Sequence, residues 1–245
     1  MITMDFKRLD IAPGNRVLDI GCGEGRHTVR ACRESDVICI GADFGFNNLI
    51  ATKSKLKFHE EINDLSCREW ELSAMDITAL PFKDNSFDVV ICSEVLEHIP
   101  DDEKAVSELI RIVKPGKMIA ISVPRAWPEW ICWQLSDEYY NANMGHVRIY
   151  SKKEIIEKIR NKGPKYLGCH YAHSIHSPYW WLKCLVGPTR TDSLAVNLYH
   201  KLLVWDLMKK PALTTQIDRL LNPVLGKSLV LYFRKQLKST RPGFR

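Results

Sequence analysis

The sequence predicts an α/β fold: a seven-stranded, mostly parallel sheet with helices on both faces and a helical insertion before the last strand. Three observations carry this. Apolar, β-branched runs alternate with segments of helical period through the first two thirds of the chain. One run, Phe87-Asp88-Val89-Val90-Ile91-Cys92-Ser93, is almost continuously apolar, as a strand covered on both faces must be. A glycine-rich turn, Gly21-Cys22-Gly23-Glu24-Gly25, joins a buried strand to a helix, the place where backbone approaches a ligand closely.

Taken in order, Arg16–Ile20 reads as the first strand, Arg26–Arg33 as its helix and Val37–Asp43 as the second strand. A helix from about Phe46 follows, then a short strand near Glu69–Ser73 and the buried strand Phe87–Ser93. Asp101 or Asp102 caps the next helix. That helix places Ala105, Val106, Leu109, Ile110 and Val113 on one face, and Pro115-Gly116 is expected to end it before the strand Met118–Val123. Ser151 caps a helix through about Arg160. Tyr166–Tyr171 is a weaker strand, and Lys227–Arg234 is the last one. The roughly 50 residues between those two strands exceed ordinary loops and should carry helices. The expected organisation is a single domain over 1–245, with a cofactor-binding core at 12–125 and cap insertions at 124–150 and 177–226.

The 245 residues, 45% of them apolar, suit one domain with a sizeable core. Asp5, Lys7, Arg8 and Asp10 interrupt any signal peptide, and no run approaches the roughly 18 apolar residues of a spanning helix, so a cytoplasmic location is expected. The eight cysteines are scattered without a C-x-x-C pair, which predicts reduced thiols. Charge is uneven: residues 1–150 carry 17 Lys and Arg against 24 Asp and Glu, whereas residues 151–245 carry 18 against 5. Anionic partners belong at the basic end.

The glycine turn alone fits any nucleotide. Position 26, where a dinucleotide fingerprint G-x-G-x-x-G requires its last glycine, is Arg26, which argues against NAD. Asp43 closes the second strand 18 residues after Gly25, near the offset at which a carboxylate accepts from ribose hydroxyls; a cap on the following turn is the other reading.

The stretches Val17–Gly25 (V-L-D-I-G-C-G-E-G), Gly41–Phe44 (G-A-D-F) and Met75–Ile99, with its core F-D-V-V-I-C-S-E-V-L-E-H-I, resemble the class I S-adenosylmethionine-dependent methyltransferases, Rossmann-like enzymes. The resemblance, closest to the branch containing ubiquinone and menaquinone biosynthesis enzymes, covers about residues 12–165. It implies S-adenosylmethionine as cofactor, with Asp19, Gly21, Cys22 and Gly23 around the methionine moiety and Asp43 on the ribose. Asp76 and the Ile77 backbone would then frame the adenine, and Cys92 and Ser93 would offer backbone contacts near the methionine amino group. Phe44 and Ile77 either sandwich the adenine or pack in the core.

On the acceptor side, methyl transfer needs alignment and a desolvated cation more than a metal or a triad. A hydroxyl acceptor must nevertheless lose its proton, and the candidate bases are His98, His146, His173 and His176; each also has a structural reading. No metal is expected, because no carboxylate or cysteine completes a ligand set at recognised spacing. Trp127, Trp130 and Trp133, with Trp180 and Trp181, either line an apolar substrate pocket or pack the cap segments onto the sheet. Leu194, Leu198, Leu202, Trp205 and Met208, near Lys201, Lys209 and Lys210, form a helical stripe that either rests on an anionic membrane or faces the core.

The leading expectation is an O-methyltransferase for a small-molecule, sugar or lipid-linked acceptor. RNA methylation is a second reading, supported by the basic end but disfavoured because Cys92-Ser93-Glu94-Val95 stands where amine-methylating nucleic-acid enzymes carry Asp/Asn-Pro-Pro-Tyr/Phe. A third is a catalytically silent protein of this fold that binds a membrane or partner.

Overall fold

The computed structural model describes residues 1–141 and 145–237. Its strands are β1 (Arg16–Ile20), β2 (Ile38–Asp43), β3 (Glu69–Ala74), β4 (Phe87–Ser93), β5 (Val113–Pro124), β6 (Lys165–Ala172) and β7 (Ser228–Arg234). They form a single sheet in the order β3-β2-β1-β4-β5-β7-β6, parallel except for β7, which runs antiparallel to both neighbours. The Rossmann-like α/β fold that the alternating pattern predicted is the fold observed.

Period-two alternation splits the core between the two faces of the sheet. Leu18 and Ile20 of β1, Ile119 and Ile121 of β5, and Leu229 and Leu231 of β7 face one side. There they meet Ala105, Val106 and Leu109 of α3 (Asp102–Ile112) and Ile155 and Ile159 of α6 (Lys152–Arg160). Val17, Ile91, Ala120 and Val230 face the other side, against Val29 and Cys32 of α1 (Arg26–Glu34) and Leu56 of α2 (Phe46–Glu61).

Local chemistry sets the helix starts. The Asp101 carboxylate accepts from Lys104 N–H at the head of α3, and Ser151 and Glu154 form a capping box at the head of α6. One expected boundary moves. The helix ends at Ile112, and Val113, expected on its buried face, already pairs with Phe87 as the first residue of β5. Pro115-Gly116 therefore lies inside the strand, at a register shift where the missing proline N–H costs no regular ladder bond.

Three helices, α7 (His176–Val186), α8 (Leu194–Lys209) and α9 (Ala212–Leu225), fill the stretch between β6 and β7. α4 (Ala126–Leu135) and the single turn α5 (Asp137–Tyr140) follow β5. No helix among the described residues is long and apolar enough to cross a membrane.

Candidate active site

The strand order reverses at β1, with β2 on one side and β4 on the other, which opens a crevice at the carboxyl ends of these strands. A cavity of about 940 Å³ occupies it. Gly21 has φ +70°, and a Cβ there would stand 2.2 Å from Val95 Cγ2, so only glycine lets the turn pass. Gly23 differs, since nothing lies within 4 Å of a Cβ built on it and its backbone is open to the cavity. The Thr52 hydroxyl donates to Gly23 O at 2.8 Å, and Gly23 N–H donates to Asp43 Oδ2 at 2.7 Å.

Asp43 also accepts from Gly45 N–H and Asn48 Nδ2 through Oδ1, so it organises the turn while bordering the cavity. Asp76 accepts twice from Thr78 on Oδ1, and these bonds hold its carboxyl below the usual range and charged. Phe44 is 83% exposed at the cavity wall, so it is no core residue; Ile77 is buried and lines the same wall. Cys22 and Ser93 line it as well.

Two residues expected at the cofactor do not line the cavity. Asp19 lies on the β1 face turned toward α1, fully buried, with Oδ2 accepting from the Thr28 hydroxyl at 2.6 Å. Its Oδ1 has no hydrogen-bond partner among the described residues, and burial raises its carboxyl to about 6. Cys92 points into the core with Val90, since alternation turns both toward α3.

The four histidines separate into two pairs. His98 lines the cavity, and its ring meets that of His146 edge-on with centroids 4.9 Å apart. Backbone bonds make this meeting possible. Val147 N–H donates to Glu97 O, while the Arg148 guanidinium donates to Ile99 O and Pro100 O, pinning the segment after residue 144 alongside the turn Leu96–His98. The Gly145 carbonyl stands 3.3 Å from His98 Nδ1, and Glu129 Oε1 stands 2.5 Å from His146 Nδ1.

His173 and His176 do not line the cavity, contrary to their candidacy as bases. Burial, then His176 nearby, pushes the His173 imidazole well below its ordinary range, and its Nε2 sits 3.1 Å from the Thr3 hydroxyl. Burial likewise lowers His176 to about 4. Burial thus favours the neutral form of both rings, which lie outside the cavity wall.

The tryptophans also depart from the pocket reading. Trp127 and Trp181 pack at 5.5 Å, and Trp181 Nε1–H donates to Pro128 O, fastening α7 onto α4. None of the described tryptophans lines the cavity.

Sequence reasoning passed over three acids. Glu94, at φ +56°, lines the cavity and accepts from the Ser122 hydroxyl at 2.9 Å. Glu97 is 1% exposed, and neither of its carboxylate oxygens has a hydrogen-bond partner among the described residues. Burial, then the Glu94 carboxylate, pushes its carboxyl well above the usual range. Glu129 is also buried, which works against its charge, but the bond and charge of His146 together with Lys227 and the Tyr139 hydroxyl outweigh this and lower it. The signal for two of them was the run Glu94-Val95-Leu96-Glu97-His98, where acids flank a candidate base.

Residues 18–121 match the family described as a methyltransferase domain. That stretch of the chain is similar to methyltransferase domains. A demethylmenaquinone methyltransferase from Corynebacterium urealyticum is 35% identical over 116 residues, 47% of this chain and 44% of that one. Methyltransferase GfsG from Streptomyces halstedii is 30% identical over 117 residues, 48% of this chain and 40% of that one. The chain thus spans less than half the length of these curated relatives. Among solved structures, the YcgJ protein from Bacillus subtilis superposes with a TM-score of 0.61 at 22% identity, covering 94% of this chain and 96% of that one. The [4+2]-cyclase SpnF gives the same TM-score at 18% identity, covering 94% and 79%. These likenesses establish the fold, and the cyclase shows that the fold alone does not name a reaction.

A methyltransferase domain implies S-adenosylmethionine, and the residues present fit it. The cavity has the volume of a cofactor site, about 300–1,000 Å³ in general. Its wall offers the open backbone of Gly23, two carboxylates, Asp43 and Asp76, and the unpacked aromatic face of Phe44.

Proposed function

We propose that this protein transfers a methyl group from S-adenosylmethionine to an oxygen of a small-molecule, sugar or lipid-linked acceptor. The observation that carries the donor side is a wall combining Asp43, Asp76 and the 83%-exposed Phe44. Asp43 would accept from the ribose hydroxyls, Asp76 from the adenine amine, and Phe44 and Ile77 would hold the adenine faces. The amino end of α1, which opens just after Gly25, favours the carboxylate of the methionine part. When bound, the cofactor supplies an electrophilic methyl on a sulfonium.

The chain's own work is to align the acceptor, exclude water and take up a proton. His98, lining the cavity beside Glu94 and backed by His146 and Glu129, is the place where an acceptor hydroxyl would be held and deprotonated. An oxygen acceptor is inferred from this histidine pair, because an imidazole within reach of a hydroxyl is a group that can take up its proton.

Calorimetric titration tests the donor side. S-Adenosylmethionine is expected to bind and NAD not to bind. Phe44→Ala should weaken binding about 3- to 10-fold, the worth of one aromatic contact, with little change in melting temperature because the residue is 83% exposed. Absence of binding, or preference for NAD, overturns the reading.

A specific observation favours a lipid-associated acceptor. The stripe Leu194, Leu198, Leu202, Trp205 and Met208 of α8 is exposed, with Leu194 at 83% and Met208 at 76%, whereas Val196 and Leu203 supply the buried contacts. Lys201, Lys209 and Lys210 are exposed on the same helix or at its end, and Leu207 lines the donor cavity. An α8 resting on an anionic membrane would therefore bring the cavity close to the lipid surface.

A further inference from the structure

We propose that Glu97, His98 and His146 form a binding site for a divalent transition-metal cation of the zinc class at the acceptor edge of the donor cavity. One ligand atom from each of these residues lies within 4.8 Å of the others, and Glu97 Oε1 is 4.0 Å from His98 Nε2. Around a tetrahedral ion with bonds of about 2.1 Å the donors stand roughly 3.4 Å apart.

Glu97 is the observation that points to a ligand. Its carboxylate is buried, and neither oxygen has a hydrogen-bond partner among the described residues. A buried carboxylate requires a counter-charge or hydrogen-bond donors. A cation answers both oxygens.

The surroundings of the imidazoles agree with metal ligation. A ligating histidine is usually held through its other ring nitrogen by a carboxylate or a backbone carbonyl, which fixes tautomer and ring plane. His146 has Glu129 Oε1 at its Nδ1, and His98 has the Gly145 carbonyl at its Nδ1. In both rings Nε2 is then the ligating atom. Two imidazoles with one carboxylate select first-row ions such as Zn²⁺ over Mg²⁺ and Ca²⁺, which prefer all-oxygen sets. Three protein ligands leave a coordination position open, as catalytic sites do. Because His98 lines the cavity, that position adjoins it and takes an oxygen of the acceptor. With both Nε2 atoms on the ion the imidazoles no longer accept a proton, so the ion acidifies the bound hydroxyl in their place, and the base role of His98 belongs to the metal-free protein.

The role of the ion in holding the acceptor rests on the methyl-transfer reading, but the site itself is tested without activity. Chelator-treated protein is titrated with Zn²⁺ by calorimetry and with Co²⁺ by visible absorption. The expected result is about one ion per chain, with a Co²⁺ spectrum free of thiolate charge-transfer bands. Glu97→Gln and His146→Ala should each weaken binding at least 10-fold, and Glu129→Gln should weaken it to a lesser degree. The wild-type protein should melt at a higher temperature with Zn²⁺ than with chelator, a readout that survives if a variant fails to fold. Stoichiometry far below one overturns the proposal. So does an affinity unchanged in Glu97→Gln, or a thiolate spectrum, which would assign the ion to the cysteines. Failure to bind S-adenosylmethionine in the separate titration would remove the methyl-transfer reading and leave the metal result standing.

Discussion

Asp19 shows how one side chain links the turn to the stability of the sheet. It is fully buried on β1, with one oxygen on the Thr28 hydroxyl and the other without a partner among the described residues. Burial raises its carboxyl from 3.8 to about 6. The folded chain therefore keeps this proton to a higher pH than the unfolded chain. The contribution of the group is complete below pH 3.8, declines through the window up to about 6, and is lost above it. The displacement corresponds to about 3 kcal/mol. Asp19→Asn keeps an acceptor for Thr28 and removes the titration. Its stability relative to the wild type should rise by about 2–3 kcal/mol between pH 3.5 and pH 7, measured by urea unfolding of the cofactor-free protein. A difference that stays constant over this range would show that Asp19 is not strained by its charge. The position itself was legible from V-L-D-I-G-C-G, but its direction was not. Alternation along β1 turns it toward α1 and away from the cavity.

At the scale of elements, the boundaries that depend on short-range chemistry were readable. Ser151 accepts from Glu154 N–H at 3.1 Å, and the Glu154 side chain returns to the Ser151 N–H, a reciprocal cap at the head of α6. Ser151→Ala should cost about 1 kcal/mol, seen as a lower denaturation midpoint with an unchanged slope. Loss of much less would mean that α6 is held by Ile155 and Ile159 alone. The passage from α3 to β5 was not readable in the same way. Pro115-Gly116 has the composition of a helix stop, yet Val113 has already been drawn into pairing with Phe87. A long-range strand partner overrode a local signal. The tryptophans of α4 and α7 behaved similarly: their residue types suited a pocket, but Trp127 and Trp181 pack on each other, Trp133 meets Tyr140, and Trp180 meets Tyr139 and Tyr179.

For the whole molecule, the charge asymmetry and the exposed face of α8 belong together. The acidic first part contains the stretch 18–121 that matches methyltransferase domains, and the basic remainder carries the exposed leucine stripe. Polybasic surface and apolar side chains together give weak, salt-sensitive adsorption to anionic lipid, about 1 kcal/mol for each lysine near the surface. The wild type should float with vesicles containing anionic phospholipid and not with neutral ones. Replacing Lys201, Lys209 and Lys210 with Glu should abolish flotation, and high salt should reduce it. Equal flotation of the variant, or salt-sensitive retention on bulk tRNA in place of vesicles, would move the basic face from membrane to another partner.

The sequence by itself determined the parallel sheet, the glycine turn and the acids at the ends of β2 and after β3. Strand period, glycine stereochemistry and caps act over a few residues, and those residues are contiguous. Only the tertiary structure decided what faces what. His98 and His146 stand 48 positions apart, Glu129 lies between them in sequence, and nothing in their spacing joins them. Their meeting depends on Val147 and Arg148 bonding back to the turn at Leu96–His98. The same holds for α8, whose leucine stripe fits a core or a membrane equally well. Its direction was set when Val196 and Leu203 won the contacts with α7, a competition among distant partners that no local pattern records.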